Sequence, residues 1–141
     1  MADLKSTFAG ISSPNPFWLA SAPPTDKAYN VVRAFKAGWG GVVGKTLGEA
    51  PPIVNTCSRY GALHYADDKM IGFNNIELIT DRPLEVNLRE MREVKKKYPG
   101  HAVIASLMVE KREDWRDIIK AVIDHGADGI ELNFGCPHGM C

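Results

Sequence analysis

The sequence predicts an α/β chain forming the N-terminal half of a (β/α)8 barrel, truncated after the fourth strand. Short apolar runs rich in glycine and β-branched residues alternate with segments of helical periodicity, the pattern of a parallel sheet with right-handed crossovers. Polar residues collect where the strands end, at Ser21, Lys45, Thr46, Ser106 and Asn133, as in barrels that assemble one site from many loops. An open doubly wound sheet would carry a glycine-rich phosphate turn after its first strand, where this chain has Ser21-Ala22-Pro23-Pro24 instead. Residues 1–141 are therefore read as one partial barrel domain.

The first strand is Phe17-Trp18-Leu19-Ala20-Ser21, ended by Pro23-Pro24. Thr25 or Asp26 caps a helix carrying Tyr29, Val32, Arg33 and Phe35, closed by Gly38. Gly40 to Thr46 suits a strand buried on both faces. Residues 47–82 are irregular, a long connection of the kind that is usually functional or disordered. From Pro83 a helix lines up Leu84, Leu88, Met91 and Tyr98 until Pro99-Gly100 stops it. Its basic run Lys95-Lys96-Lys97 reads as a solvated face. Ala102 to Met108 is the third strand. Trp115, Ile118, Ile119, Val122 and Ile123 then follow i, i+3, i+4, i+7, i+8 spacing, the stripe of a core-facing helix. Gly126 ends that helix, and the fourth strand runs from Asp128 to Phe134. The three tryptophans, Trp18, Trp39 and Trp115, are assigned to the core.

Composition limits the function classes. A chain of 141 residues, 45% hydrophobic and 24% charged, has the make-up of a soluble globular domain. Seventeen basic residues balance seventeen acidic ones, leaving no electrostatic footprint for nucleic acid or an anionic membrane. No apolar run approaches the roughly 20 residues that span a bilayer, and the N-terminus lacks a secretory signal segment. Cys57, Cys136 and Cys141 have no metal-ligand spacing such as C-x-x-C. They read as free thiols in a reducing compartment, which makes cytoplasmic the expected location.

The richest local signal is Asn133-Phe134-Gly135-Cys136-Pro137-His138 at the end of the fourth strand. The Asn133 amide can hydrogen-bond a planar polar ring, and an exposed Cys136 thiol can serve as general acid or base. A thiol with a pKa of about 8.5 is mostly protonated at neutral pH, which suits a proton donor. The competing role for Cys136 is a small buried hydrophobe, but the adjoining glycine and proline argue for a dedicated loop. Lys45 leaves the end of a buried strand, where it could neutralise an anionic ligand or a reduced flavin, or simply snorkel to water. Asn75 could hold the same kind of ring as Asn133, or close an Asx-turn. His138 is assigned no role.

Together these residues resemble the flavin-binding barrel of the dihydropyrimidine dehydrogenases and, more broadly, the dihydroorotate dehydrogenase family. The resemblance runs through Asn15-Pro16-Phe17, Leu19-Ala20-Ser21-Ala22, Ala37-Gly38-Trp39-Gly40, Lys45-Thr46, Asn75-Ile76-Glu77-Leu78-Ile79, Ile104-Ala105-Ser106-Leu107-Met108 and Glu131 to Met140. It implies that Ala20, Ser21, Lys45 and Thr46 contact FMN. It also implies that Asn75, Asn133, Phe134 and Gly135 line the pyrimidine site and that Cys136 is the catalytic acid. The implied reaction reduces uracil or thymine to the 5,6-dihydropyrimidine in pyrimidine catabolism, with a hydride from FMN to C6 and a proton from Cys136 to C5. Electrons would come from NAD(P)H through 4Fe-4S clusters in a partner subunit or a further segment of the chain, and an oligomer is expected. The family often has Ser where Gly135 stands, so one possible hydroxyl contact near the ligand is missing here. The family also builds its FMN phosphate site from later strands, so this segment alone is expected to bind flavin weakly or not at all.

Three other readings compete. Asn133-x-Gly-Cys-Pro also resembles the motif of tRNA dihydrouridine synthases, but these need a basic RNA-binding surface that a neutral chain lacks. Dihydroorotate dehydrogenase is nearer, yet Glu77 places an acid where that substrate's carboxylate would be repelled. The third reading is an inactive fragment or association module.

Overall fold

The computed structural model describes residues 2–49 and 59–135. Its centre is a four-stranded parallel sheet of β3 (Trp18–Leu19), β4 (Gly41–Val43), β7 (Ala102–Leu107) and β8 (Gly129–Leu132), hydrogen-bonded in that order. Each strand lies beside the one before it in the chain, with no reversal of order. Leu19 pairs with Val42, Val42 with Val103, and Ala105 with Ile130. The regular strands are shorter than the runs predicted from sequence, most of all the first, where two of five residues qualify.

Three helices cover one face of the sheet: α1 (Ala28–Lys36), α2 (Leu84–Lys97) and α3 (Trp115–Asp124). Val31 and Phe35 of α1 pack with Val42, Val94 and Val103. Leu88 of α2 meets Ala105, Leu107, Ile118 and Val122 in the adjoining cluster. β7 is buried along its whole length, because helices cover one face and neighbouring segments fill the other. Its unbroken apolar run is what a strand buried on both faces requires.

Several expectations are corrected. The face of α1 is set by Val31 and Phe35, with Val32 and Ala28 beside them, whereas Tyr29 is exposed. Ile123 of α3 and Trp39 also lie exposed. Neither Thr25 nor Asp26 caps α1. Thr25 closes a 3-10 turn (Pro23–Thr25) by donating its hydroxyl to Ala22 O, and Asp26 accepts the Thr80 hydroxyl. The open N-terminus of α1 is instead capped from another helix, as the Ala28 N–H donates to the Glu90 carboxylate at 2.7 Å. Lys95 is likewise not a free surface charge. It bonds Asp128 at 2.7 Å and the carbonyls of Pro99 and His101, while Lys96 and Lys97 are exposed.

Two hairpins were not anticipated. β1 (Ser6–Phe8) and β2 (Ile11–Ser13) turn at Ala9-Gly10, both with positive φ. β5 (Tyr60–Tyr65) and β6 (Lys69–Asn75) turn at Asp67-Asp68, again both with positive φ, inside the stretch read as irregular. In the two-residue Ala9-Gly10 loop, positive φ at both central residues is the twist-compatible hairpin geometry, and the β5–β6 loop is one residue longer. Ala-Gly and Asp-Asp are weaker signals for a hairpin than Asn-Gly.

The first hairpin sits at the amino-terminal ends of the strands. Ile11 reaches the position where a side chain on Gly129 would lie. Ser13 accepts the Trp18 indole N–H at 3.0 Å and donates to Asn15 O at 2.8 Å. Asn15 bonds Gly38 O and the Phe17 N–H, and a Cβ on Gly40 would stand 2.3 Å from Asn15 O. That end of the sheet is closed by packing.

Candidate functional site

The carboxyl ends of the strands open into a cleft of about 650 Å³, lined by residues from five separate parts of the chain. After β4 the backbone keeps running beside β7. Gly44 N–H donates to Ile104 O, Leu47 N–H to Ser106 O, and Met108 N–H to Leu47 O. This extension carries Lys45 and Thr46 into the cleft. On the other flank, Asn133 N–H donates to Leu107 O and prolongs the β8 ladder to the Asn133 side chain. Ala20 and Ser21 follow β3, and the segment after β6 supplies Asn75, Glu77 and Leu78.

At the floor lies a chain of hydroxyls. Thr46, buried, shares hydrogen bonds with Ser21 at 3.0 Å and Ser106 at 2.9 Å, and accepts from the Asn133 amide at 3.3 Å. Asn133 Oδ1 in turn accepts the Gly135 N–H at 3.3 Å. Asn75 makes the matching local bond, its Oδ1 accepting the Glu77 N–H at 2.7 Å. The Asx-turn considered for Asn75 is therefore present, and it fixes the amide at the cleft edge.

Lys45 neither snorkels to water nor stands unpaired. Its ammonium lies 2.7 Å from Glu77 Oε1 and donates to Leu78 O, and the two side chains are only 8% and 10% exposed. Arg59 adds bonds to Glu77 at 3.1 Å and to Asp81 at 3.0 Å. The other oxygen, Glu77 Oε2, is buried and has no partner among the described residues. A buried carboxylate oxygen without a donor is costly, which makes Glu77 a strained member of the cleft wall. Because two cations flank Glu77, the repulsion it was expected to exert on an anionic substrate is largely offset.

Ala20, Ser21, Lys45, Thr46, Asn75, Asn133, Phe134 and Gly135 all line this one cleft. Cys57, Cys136, His138 and Cys141 lie outside the described residues. The sequence reading did not count Glu77, Tyr60 or Glu131 as site residues, yet they line the cleft too. Tyr60 reaches the rim on β5 and stacks with Phe73 of β6, ring centroids 5.9 Å apart. Only Glu77 had a usable signal, its place in Asn75-Ile76-Glu77. A second, tighter cavity of about 60 Å³ lies between the sheet and helices α1 and α2, lined mainly by core side chains and sharing Lys45 with the cleft.

Among the described residues, no helix is long and apolar enough to cross a membrane. No family model matches the chain. It is 43% identical over 98% of its length to the chloroplastic dihydropyrimidine dehydrogenase (NADP(+)) of Arabidopsis thaliana, and 43% identical over 96% to the NAD-dependent dihydropyrimidine dehydrogenase subunit PreA of Escherichia coli. It is also 30% identical over 98% of its length to the dihydroorotate dehydrogenase B (NAD(+)) catalytic subunit of Thermoplasma acidophilum. The chain spans 34% and 33% of the length of the first two relatives and 43% of the third. Over nearly its whole length this chain is a homologue of the dihydropyrimidine dehydrogenases, with the dihydroorotate dehydrogenases B as more distant relatives.

Proposed function

We propose that this chain supplies the first four strands of a flavin-binding (β/α)8 barrel that reduces uracil or thymine to the 5,6-dihydropyrimidine. The strand order β3-β4-β7-β8, sequential and unreversed, supports the barrel reading. The observation that carries the function is the polar cleft at the strand ends, where the side chains of Asn75, Asn133, Lys45 and Thr46 line one space. Its volume falls within the range of small-molecule sites. Its groups match a pyrimidine dione, whose edge alternates N–H donors and carbonyl acceptors. The amides of Asn75 and Asn133 each offer an acceptor and donors to ring N–H and carbonyl groups.

The same cleft fits FMN in kind: the small side chains of Ala20 and Ser21 leave room for a flat ring, and Lys45 and Thr46 lie beside it. When bound, FMN supplies the hydride chemistry. The chain's own residues orient the pyrimidine, and Lys45 is held at the cleft wall by Glu77 and Leu78 O. Cys136, three residues beyond Asn133, delivers the proton to C5. Electrons come from NAD(P)H through a partner subunit with 4Fe-4S clusters, a reading supported by the relative PreA being named a subunit. The higher identity to dihydropyrimidine dehydrogenases than to dihydroorotate dehydrogenase favours a pyrimidine base over dihydroorotate.

The test is uracil-dependent NAD(P)H oxidation by the intact gene product with its NAD(P)H-oxidising partner. Cys136→Ala is expected to retain flavin absorbance while turnover falls by about 10²–10⁴-fold, the usual worth of a positioned general acid. Unchanged turnover overturns the role of Cys136, and no response to uracil or thymine overturns the substrate class.

A further inference from the structure

The resemblance makes Thr46 a cofactor contact, but its side chain is already fully engaged within the protein. A threonine hydroxyl has one proton and two lone pairs. Thr46 Oγ1 accepts from Asn133 Nδ2 and lies 3.0 Å from Ser21 Oγ and 2.9 Å from Ser106 Oγ, so its capacity is filled by accepting from one serine and donating to the other. Thr46 is only 4% exposed, and its carbonyl accepts the Thr80 N–H at 2.9 Å. It is held from four directions.

The consequence lies in Asn133. One of its amide protons is taken by Thr46, and one carbonyl lone pair by the Gly135 N–H. One N–H and one lone pair remain for a ligand. Rotating the amide by half a turn would set its NH₂ against the Gly135 N–H, donor against donor, and would exchange the pattern offered to the cleft. The Gly135 N–H, which can only donate, therefore chooses between two opposite readings of one side chain, and Thr46 anchors the amide at its other end. We infer that Thr46 is a positioning residue, its hydroxyl anchoring the Asn133 amide in the orientation set by the Gly135 N–H, which presents one N–H and one carbonyl lone pair to a ring with adjacent N–H and carbonyl groups. The inference rests on the pyrimidine reading for the ligand's class, and its structural half stands without it.

The experiment uses the intact gene product labelled with ¹⁵N at asparagine, with Thr46→Val removing the hydroxyl at nearly constant shape and Thr46→Ser keeping it. Circular dichroism checks that each variant folds, and Thr46→Ala replaces Thr46→Val should that variant fail to fold. The side-chain NH₂ resonances of Asn133 are assigned by their loss in Asn133→Asp. In Thr46→Val this pair is expected to shift and its solvent exchange to accelerate about tenfold, the loss of one hydrogen bond. Uracil titrated against the same resonances is expected to bind about tenfold more weakly, and Thr46→Ser restores all three readouts. An Asn133 pair unmoved in Thr46→Val overturns the inference, as does a Thr46→Ser variant that behaves like Thr46→Val. If uracil leaves the wild-type pair unmoved, the pyrimidine reading fails, and the shift produced by Thr46→Val alone decides the role of Thr46.

Discussion

The two ends of the central sheet are built on opposite principles. At the amino-terminal ends, a hairpin, an indole and a close backbone approach fill the space: Ile11 against Gly129, Trp18 on Ser13, Asn15 against Gly40. At the carboxyl ends, the same strands extend into hydroxyls, amides and an ion pair around open volume. Both ends contain buried polar groups. Those at the closed end satisfy one another, whereas at the open end Glu77 keeps an oxygen without a partner among the described residues. In barrel folds this asymmetry separates the face that holds the structure together from the face that acts on ligands. Here the separation is incomplete, because Lys45 and Glu77 form a buried pair within the cleft.

The pair offers the sharpest way to break the contrast. Removing one partner of a buried ion pair typically destabilises by about 3–5 kcal/mol. Arg59 still faces Glu77 Oε1, so Lys45→Met is expected near the lower figure, measured by urea unfolding. Glu77→Gln in the same chain should recover part of the loss. A Lys45→Met variant as stable as wild type would mean that the cleft end contributes only function. At the closed end, Gly40→Ala puts a methyl 2.3 Å from Asn15 O and 2.7 Å from its Oδ1. Backbone cannot yield there as a flexible side chain would, so a loss of about 2–3 kcal/mol is expected. The cleft should keep its ligand response in that variant while it stays folded. Weakened binding at equal foldedness would show that the two ends are coupled through the strands.

How far the sequence alone reaches follows the same division. Short apolar runs located the four parallel strands and helical periodicity the three helices found among the described residues, because burial on two faces or on one leaves a mark in the sequence. Asn75, Asn133, Lys45 and Ser21 were also legible, as polar residues interrupting apolar runs at the strand ends or marking the long connection. The hairpins were not, since the Ala9-Gly10 and Asp67-Asp68 turns lack the usual Asn-Gly signature and β5–β6 exposes most of both its faces. The Glu77–Lys45 pair was out of reach because it joins residues 32 positions apart across the cleft, a pairing with no local pattern. The cap on α1 failed for the same reason: Glu90 supplies it from 62 residues away.

That distant cap leads to the smallest effect, at the layer between the two ends. Glu90 accepts from the Ala28 N–H and pairs with Arg82, which also bonds Asp26 O and Asn87. Burial pushes the Glu90 carboxyl upward, but the hydrogen bonds from Arg82 and Ala28 and the nearby positive charge outweigh it and hold the group below its ordinary value of 4.5. A carboxyl more acidic in the folded than in the unfolded chain stabilises above the unfolded value, and that contribution fades as pH falls through the folded one. Glu90→Gln is therefore expected to be about 1 kcal/mol less stable than wild type near pH 7. The gap should narrow steadily below pH 4.5 as wild-type Glu90 takes up its proton. Urea unfolding at a series of pH values checks this. A gap independent of pH would mean that shape, and not charge, ties α1 to α2. Because Thr80 bonds both Asp26 in this network and the carbonyl of Thr46 in the cleft, the Asn133 resonances should begin to move over the same pH range, before the closed end loosens.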